Sequence, residues 1–117
     1  MGLFNGRKEV TYLVYNASAG RWVNEEEMEQ LVVAAYRCAL NNGMSPAKPT
    51  VNDERTGYVI AINGGGRIEA YFGSINPEIT FDLAMSKKEI AAFWKSIQEY
   101  CADPAKTPEG CAPLILV

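Results

Sequence analysis

The sequence predicts an α+β fold: a two-layer sandwich in which a mostly antiparallel sheet of four to six strands carries two helices on one face. Three observations predict it. Two alternating apolar runs, Tyr58 to Ile62 and Arg67 to Phe72, flank the turn Gly64-Gly65-Gly66, and a third, Glu78 to Met85, follows directly. One amphipathic helical stretch precedes this meander and another follows it, each opened by a full set of helix-start signals. No repeat or interdomain linker interrupts the order, so residues 1–117 read as a single domain.

The elements follow in turn. Lys8 to Tyr15 is rich in β-branched and aromatic residues and reads as a strand. Asn16 to Gly20 is a turn, after which Arg21-Trp22-Val23 folds back as a short second strand. Asn24 caps the first helix, Glu27 completes a capping box, and Val23 and Met28 stand at staple spacing. Met28, Leu31, Val32, Ala35 and Cys38 form its apolar stripe, and Gly43 ends it. Val33, Tyr36 and Leu40 widen that stripe, which suggests deep packing in preference to a second contact surface. Pro46 and Pro49 make Met44 to Arg55 a loop, with a short edge strand near Val51.

In the meander, Ile79, Phe81, Leu83 and Met85 alternate with Glu78, Thr80 and Asp82, which predicts a sheet with one wet face. Ser86 and Glu89 box the second helix, stapled by Met85 and Ile90, and Ile90, Phe93, Trp94, Ile97 and Cys101 form its stripe. The closing run Pro113-Leu-Ile-Leu-Val117 lacks polar alternation and reads as a buried last strand, or else as a sticky edge.

Chemistry is constrained mainly by what is missing. The chain has no histidine, which removes Ser-His-Asp and Cys-His catalysis and the usual general base near neutral pH. Three cysteines without CxxC spacing argue against structural zinc, and their odd number argues against a disulfide framework, although Cys101 and Cys111 flank one loop. The glycine triplet joins two strands and is not followed by Lys-Ser/Thr, so it is a turn and no phosphate loop. The pairs Asp53-Glu54 and Glu78/Asp82 read as solvated surface, as do Lys87, Lys88 and Lys95. A net charge of −3 without a basic stripe excludes a nucleic-acid grip, and no apolar run is long enough to span a bilayer. The start of the chain lacks a secretory h-region, so a cytosolic location is expected.

One stretch resembles a known family. Gly57-Tyr-Val-Ile-Ala-Ile62, the glycine turn, Arg67-Ile-Glu-Ala-Tyr-Phe72, Asn76 to Leu83 and Met85 to Trp94 look like the middle of sterol-carrier-protein-type lipid-binding domains. The resemblance implies an apolar tunnel. The chain departs from the family where Lys95-Ser96-Ile97 continues the helix and where a strand precedes the first helix.

The leading expectation is a small, acidic, non-enzymatic protein that acts by steric occlusion of a protein partner, with no cofactor, metal, nucleic acid or membrane. Inhibitors and accessory proteins of phages and mobile elements share this profile. Trp22, Tyr15 and Tyr71 are the candidate anchors and Glu25, Glu26 and Glu29 the acidic rim. The alternative is a carrier of apolar small molecules or lipids, with Phe81, Phe93, Trp94 and Ile97 lining its pocket. An enzyme using Cys, Tyr or carboxylate chemistry is a third reading, and homodimerisation through Leu114–Val117 a second choice of partner.

Overall fold

The computed structural model describes residues 6–73 and 75–117. The first five residues, part of the stretch read above for a secretory segment, lie outside the described range. In chain order the elements are β1 (Lys8–Leu13), β2 (Tyr15–Asn16), β3 (Arg21–Trp22), α1 (Glu25–Asn41), β4 (Thr50–Val51), β5 (Gly57–Ala61), β6 (Arg67–Phe72), β7 (Pro77–Leu83) and α2 (Lys87–Ala102). Five strands make an antiparallel sheet in the order β1-β7-β6-β5-β4, and β2 with β3 makes a separate ribbon. The fold is α+β, as the alternation implied.

Period-two alternation sorts the sheet into two faces. Val10, Phe81, Ile68 and Ile60 form one cross-strand row, with Tyr12, Ile79, Ala70 and Tyr58 beside it. α1 packs on β5 and β6, and α2 packs on β1. Both helices therefore cover the same apolar face. The opposite face stays open and carries Glu9, Thr11, Leu13, Glu69, Tyr71, Glu78 and Asp82, with Arg67 paired to Glu69 at 2.9 Å and Arg7 to Asp82 at 3.3 Å. Thr80 is buried even on this open face, its hydroxyl 2.8 Å from that of Thr11.

Both capping boxes are present: Asn24 accepts from the Glu27 N–H, and Ser86 from the Glu89 N–H. The β5–β6 turn needs its glycines. Gly66 has φ +104°, and a Cβ there would stand 2.6 Å from the Asp82 carbonyl, so both conformation and contact exclude a side chain.

The structure corrects three local expectations. Lys8 to Tyr15 is not one strand: Val14, fully buried, separates β1 from β2. Val14 donates to the Pro77 carbonyl (3.0 Å), but proline has no N–H to return, so the Val14 carbonyl accepts from Val23 instead (3.4 Å) and the chain leaves the sheet. Leu114–Val117 is not a last sheet strand. It lies along β2, outside the five-stranded sheet, with Leu114 and Leu116 buried and Ile115 and Val117 exposed. An all-apolar run conceals an alternation when only one of its faces meets a core. Third, Val33 and Leu40 point to solvent and Tyr36 is half-buried, so the packed stripe of α1 is narrower than its composition suggested.

Candidate functional site

The ribbon acquires a third segment from the C-terminus. Asn16 and Leu116 form an antiparallel bridge, framed by Ala17 N–H donating to Ile115 (2.7 Å) and Val117 N–H donating to Tyr15 (3.2 Å). On its far side the Leu116 carbonyl accepts from the Gln98 amide at 3.1 Å, which ties the segment to α2. The register of these three segments puts Asn16, Arg21 and Leu116 on the inner side, and Tyr15, Trp22, Val117, Ala17 and Ile115 on the outer side.

The inner side carries a polar network. Asn16 is 2% exposed, yet both ends of its amide are bonded: Nδ2 donates to Glu27 at 2.8 Å, and Oδ1 accepts from the Ser18 hydroxyl (2.6 Å) and the Ala19 N–H (3.1 Å). Arg21 grips the same carboxylate with both terminal nitrogens, at 2.7 and 2.9 Å, and the Asn24 N–H adds a further bond at 3.1 Å. The Arg21 guanidinium, with the Asn24 and Asn16 donors, holds the Glu27 carboxyl below its ordinary range against the opposing effect of burial. Glu27 thus joins the ribbon to the first turn of α1.

The outer side is apolar and open. Tyr15 and Trp22 meet edge to face, ring centroids 5.2 Å apart, with Trp22 40% exposed. Val117, 66% exposed, is the cross-strand neighbour of Tyr15 on the other side, and Ile115 is 45% exposed. Trp22 and Tyr15, the sequence-predicted anchors, are therefore brought together. Ile115 and Val117 belong to the same face and were not singled out as anchors. The signal that could have found them is the apolar C-terminal run, once it is read with period two.

The remaining predicted partner-binding residues lie on α1 and β6. Glu25, Glu26 and Glu29 are exposed on the first turns of α1, and none is in an ion pair among the described residues. Glu26 borders a groove of about 490 Å³ between the ribbon and the loop 110–114. Glu25 borders a second groove of about 260 Å³ with Arg55, Tyr58 and Phe72. Tyr71 stands apart, on the open sheet face, where it lines a third groove of about 560 Å³ with Asn52, Arg67 and Glu69. Burial and then the neighbouring Glu78 carboxylate push its phenol pKa up.

Phe81, Phe93, Trp94 and Ile97 are all buried and closed against one another. Phe81 meets Phe93 at 5.7 Å and Trp94 at 6.0 Å, and Tyr12 stacks on Trp94 at 5.4 Å. None of the four lines any of the three grooves. All three cysteines are free thiols, Cys38 and Cys101 buried and Cys111 exposed.

Among the described residues, no group of three or more His, Cys, Asp or Glu side chains is placed to hold a metal ion, and no helix is long and apolar enough to cross a membrane. Comparison of the chain with protein-family models, with curated proteins and with solved structures finds no match.

Proposed function

We propose that this chain is a non-enzymatic binding protein whose ribbon face seats another protein and occludes it. The observation that carries this reading is the convergence of Tyr15, Trp22, Ile115 and Val117, from three chain segments, on one exposed apolar face. Exposed aromatic and aliphatic side chains held side by side are the usual anchors of an interface. The face is also pre-organised. The network beneath it ties the ribbon backbone to α1, so less backbone freedom remains to be lost on binding. In this reading the exposed carboxylates of Glu25, Glu26 and Glu29, on the first turns of α1, supply the polar rim. The closed packing of Phe81, Phe93, Trp94 and Ile97 offers no comparable support to a carrier.

The test is affinity capture from the native host's lysate with wild-type and Trp22→Ala baits in parallel. A stoichiometric protein kept by the wild type and lost by the variant is expected, while the variant's melting temperature changes by about 3 °C or less. Equal capture by both baits moves the site elsewhere. A wild-type bait that retains no protein rejects the reading.

A further inference from the structure

The two edges of the sheet are built differently. In an antiparallel ladder, alternate residues of a strand bond to alternate sides. The Val14 N–H to Pro77 carbonyl bond sets the phase for β1: its even residues bond inward to β7, and Glu9, Thr11 and Leu13 direct their N–H and C=O groups outward. Among the described residues, no backbone group meets them. The opposite edge is blunted. β4 has only two residues, and the segment leading into it turns Pro46 outward, between the inward bonds of Ser45 and Ala47, with Pro49 beside it. Prolines present no donor to an incoming strand.

We infer that β1 is a homodimerisation edge: two copies pair antiparallel through it, about a two-fold axis at Thr11, into one ten-stranded sheet. The strand is self-complementary in this register. Thr11 faces Thr11 of the second copy, and Glu9 faces Leu13 in both directions. Each facing pair exchanges two hydrogen bonds, so all the outward groups of Glu9, Thr11 and Leu13 are satisfied. On the open face the Thr11–Thr80 pair extends into a row of four threonines, and Leu13, exposed in the single chain, is flanked by a neighbouring strand. On the helix-bearing face Val10 meets Tyr12 of the other copy. The two registers shifted toward the start of the strand fit worse. Centring on Glu9 sets carboxylate against carboxylate, and centring on Val10 leaves Leu13 opposite Arg7, which precedes the strand. In the Thr11 register the two Glu9 carboxylates stand four residues apart along the strand, roughly 13 Å. The C-terminal segment occupies the next stretch of this edge, at Tyr15 and Ala17, while Trp22 pairs with Tyr15 from the opposite side and takes no part in the dimer contact.

Sedimentation equilibrium of the whole chain, across roughly 10 μM to 1 mM, reads the association directly. The expected result is a shift from the 12.9 kDa species to one of twice that mass. Thr11→Lys sets ammonium against ammonium across the axis and should weaken the dimer about tenfold or more. Leu13→Pro deletes an outward N–H without removing a bond to β7, and should weaken it comparably with an unchanged circular dichroism spectrum. Trp22→Ala should leave the dimer intact. Amide exchange at Glu9, Thr11 and Leu13 should slow as concentration rises. A single 12.9 kDa species throughout overturns the inference. So does a dimer indifferent to Thr11→Lys and Leu13→Pro, or one that dissociates on Trp22→Ala, which would place the contact on the ribbon face.

Discussion

Replacing Glu27 by alanine should destabilise the protein far more than replacing any of its acidic neighbours. The Glu27 carboxylate accepts from Arg21 (2.7 and 2.9 Å), Asn16 (2.8 Å) and the Asn24 N–H (3.1 Å). These bonds are unequal in consequence. Arg21 and Asn24 are exposed and recover water when the carboxylate goes, so their share of the loss is small. Asn16 has no such recourse: at 2% exposure, its Nδ2 would be left dry and unpaired, a cost of about 1–3 kcal/mol. The expected loss is therefore about 1–3 kcal/mol, or about 10 °C in melting temperature for a domain of this size. Glu25→Ala and Glu26→Ala, on exposed side chains, should cost under about 0.5 kcal/mol. Urea unfolding followed by circular dichroism measures all three.

A pH series adds a second reading. The folded-state pKa of Glu27 is depressed, so its contribution is fully present above the ordinary carboxylate pKa. It is lost as pH falls through the lowered folded value. The gap between wild type and Glu27→Ala should accordingly be constant from neutral pH down to that ordinary value and narrow below it, the protonated carboxyl still accepting from Asn16. A Glu27→Ala variant as stable as Glu25→Ala, or a gap that does not narrow in acid, would refute the network as the element that holds the ribbon.

Two further outcomes follow from the packing. Gly66→Ala should cost about 3 kcal/mol or more by thermal melt, since φ is +104° and the new methyl would meet the Asp82 carbonyl, whereas Gly64→Ala, strained but unobstructed, should cost about 1 kcal/mol. Thiol titration at pH 8 with an aromatic disulfide should label Cys111 rapidly and the other two only after unfolding. Burial pushes Cys101 up to about 12 and raises Cys38 as well, so neither supplies thiolate; rapid labelling of all three would contradict their placement.

Local signals carried much of this fold. The caps Asn24/Glu27 and Ser86/Glu89 act within one helical turn, the alternation of Ile79, Phe81 and Leu83 is intrinsic to a strand with one dry side, and the glycine triplet satisfies its own turn. Each depends on neighbours a few residues away, so the sequence by itself determined the elements and the layer they form. The candidate site was legible only in part: Trp22 and Tyr15 stood out as amphipathic aromatics near a turn, but their partners Ile115 and Val117 lie at the far end of the chain.

Tertiary structure decided what depends on distant pairing. Whether Leu114–Val117 enters the sheet or lies along β2 turns on Asn16, about a hundred residues earlier. Whether Glu27 merely caps a helix or also anchors the ribbon turns on Arg21 and Asn16 arriving at its carboxylate. The exit of the chain at Val14 turns on a proline in β7 that has no N–H to offer. Phe81, Phe93 and Trp94 would read equally as a pocket lining or a packed core until their rings are seen in contact. Apolar periodicity specifies which face of an element is dry, but not what dries it: that choice is made by close packing and by the satisfaction of buried polar groups, which no short window of sequence contains.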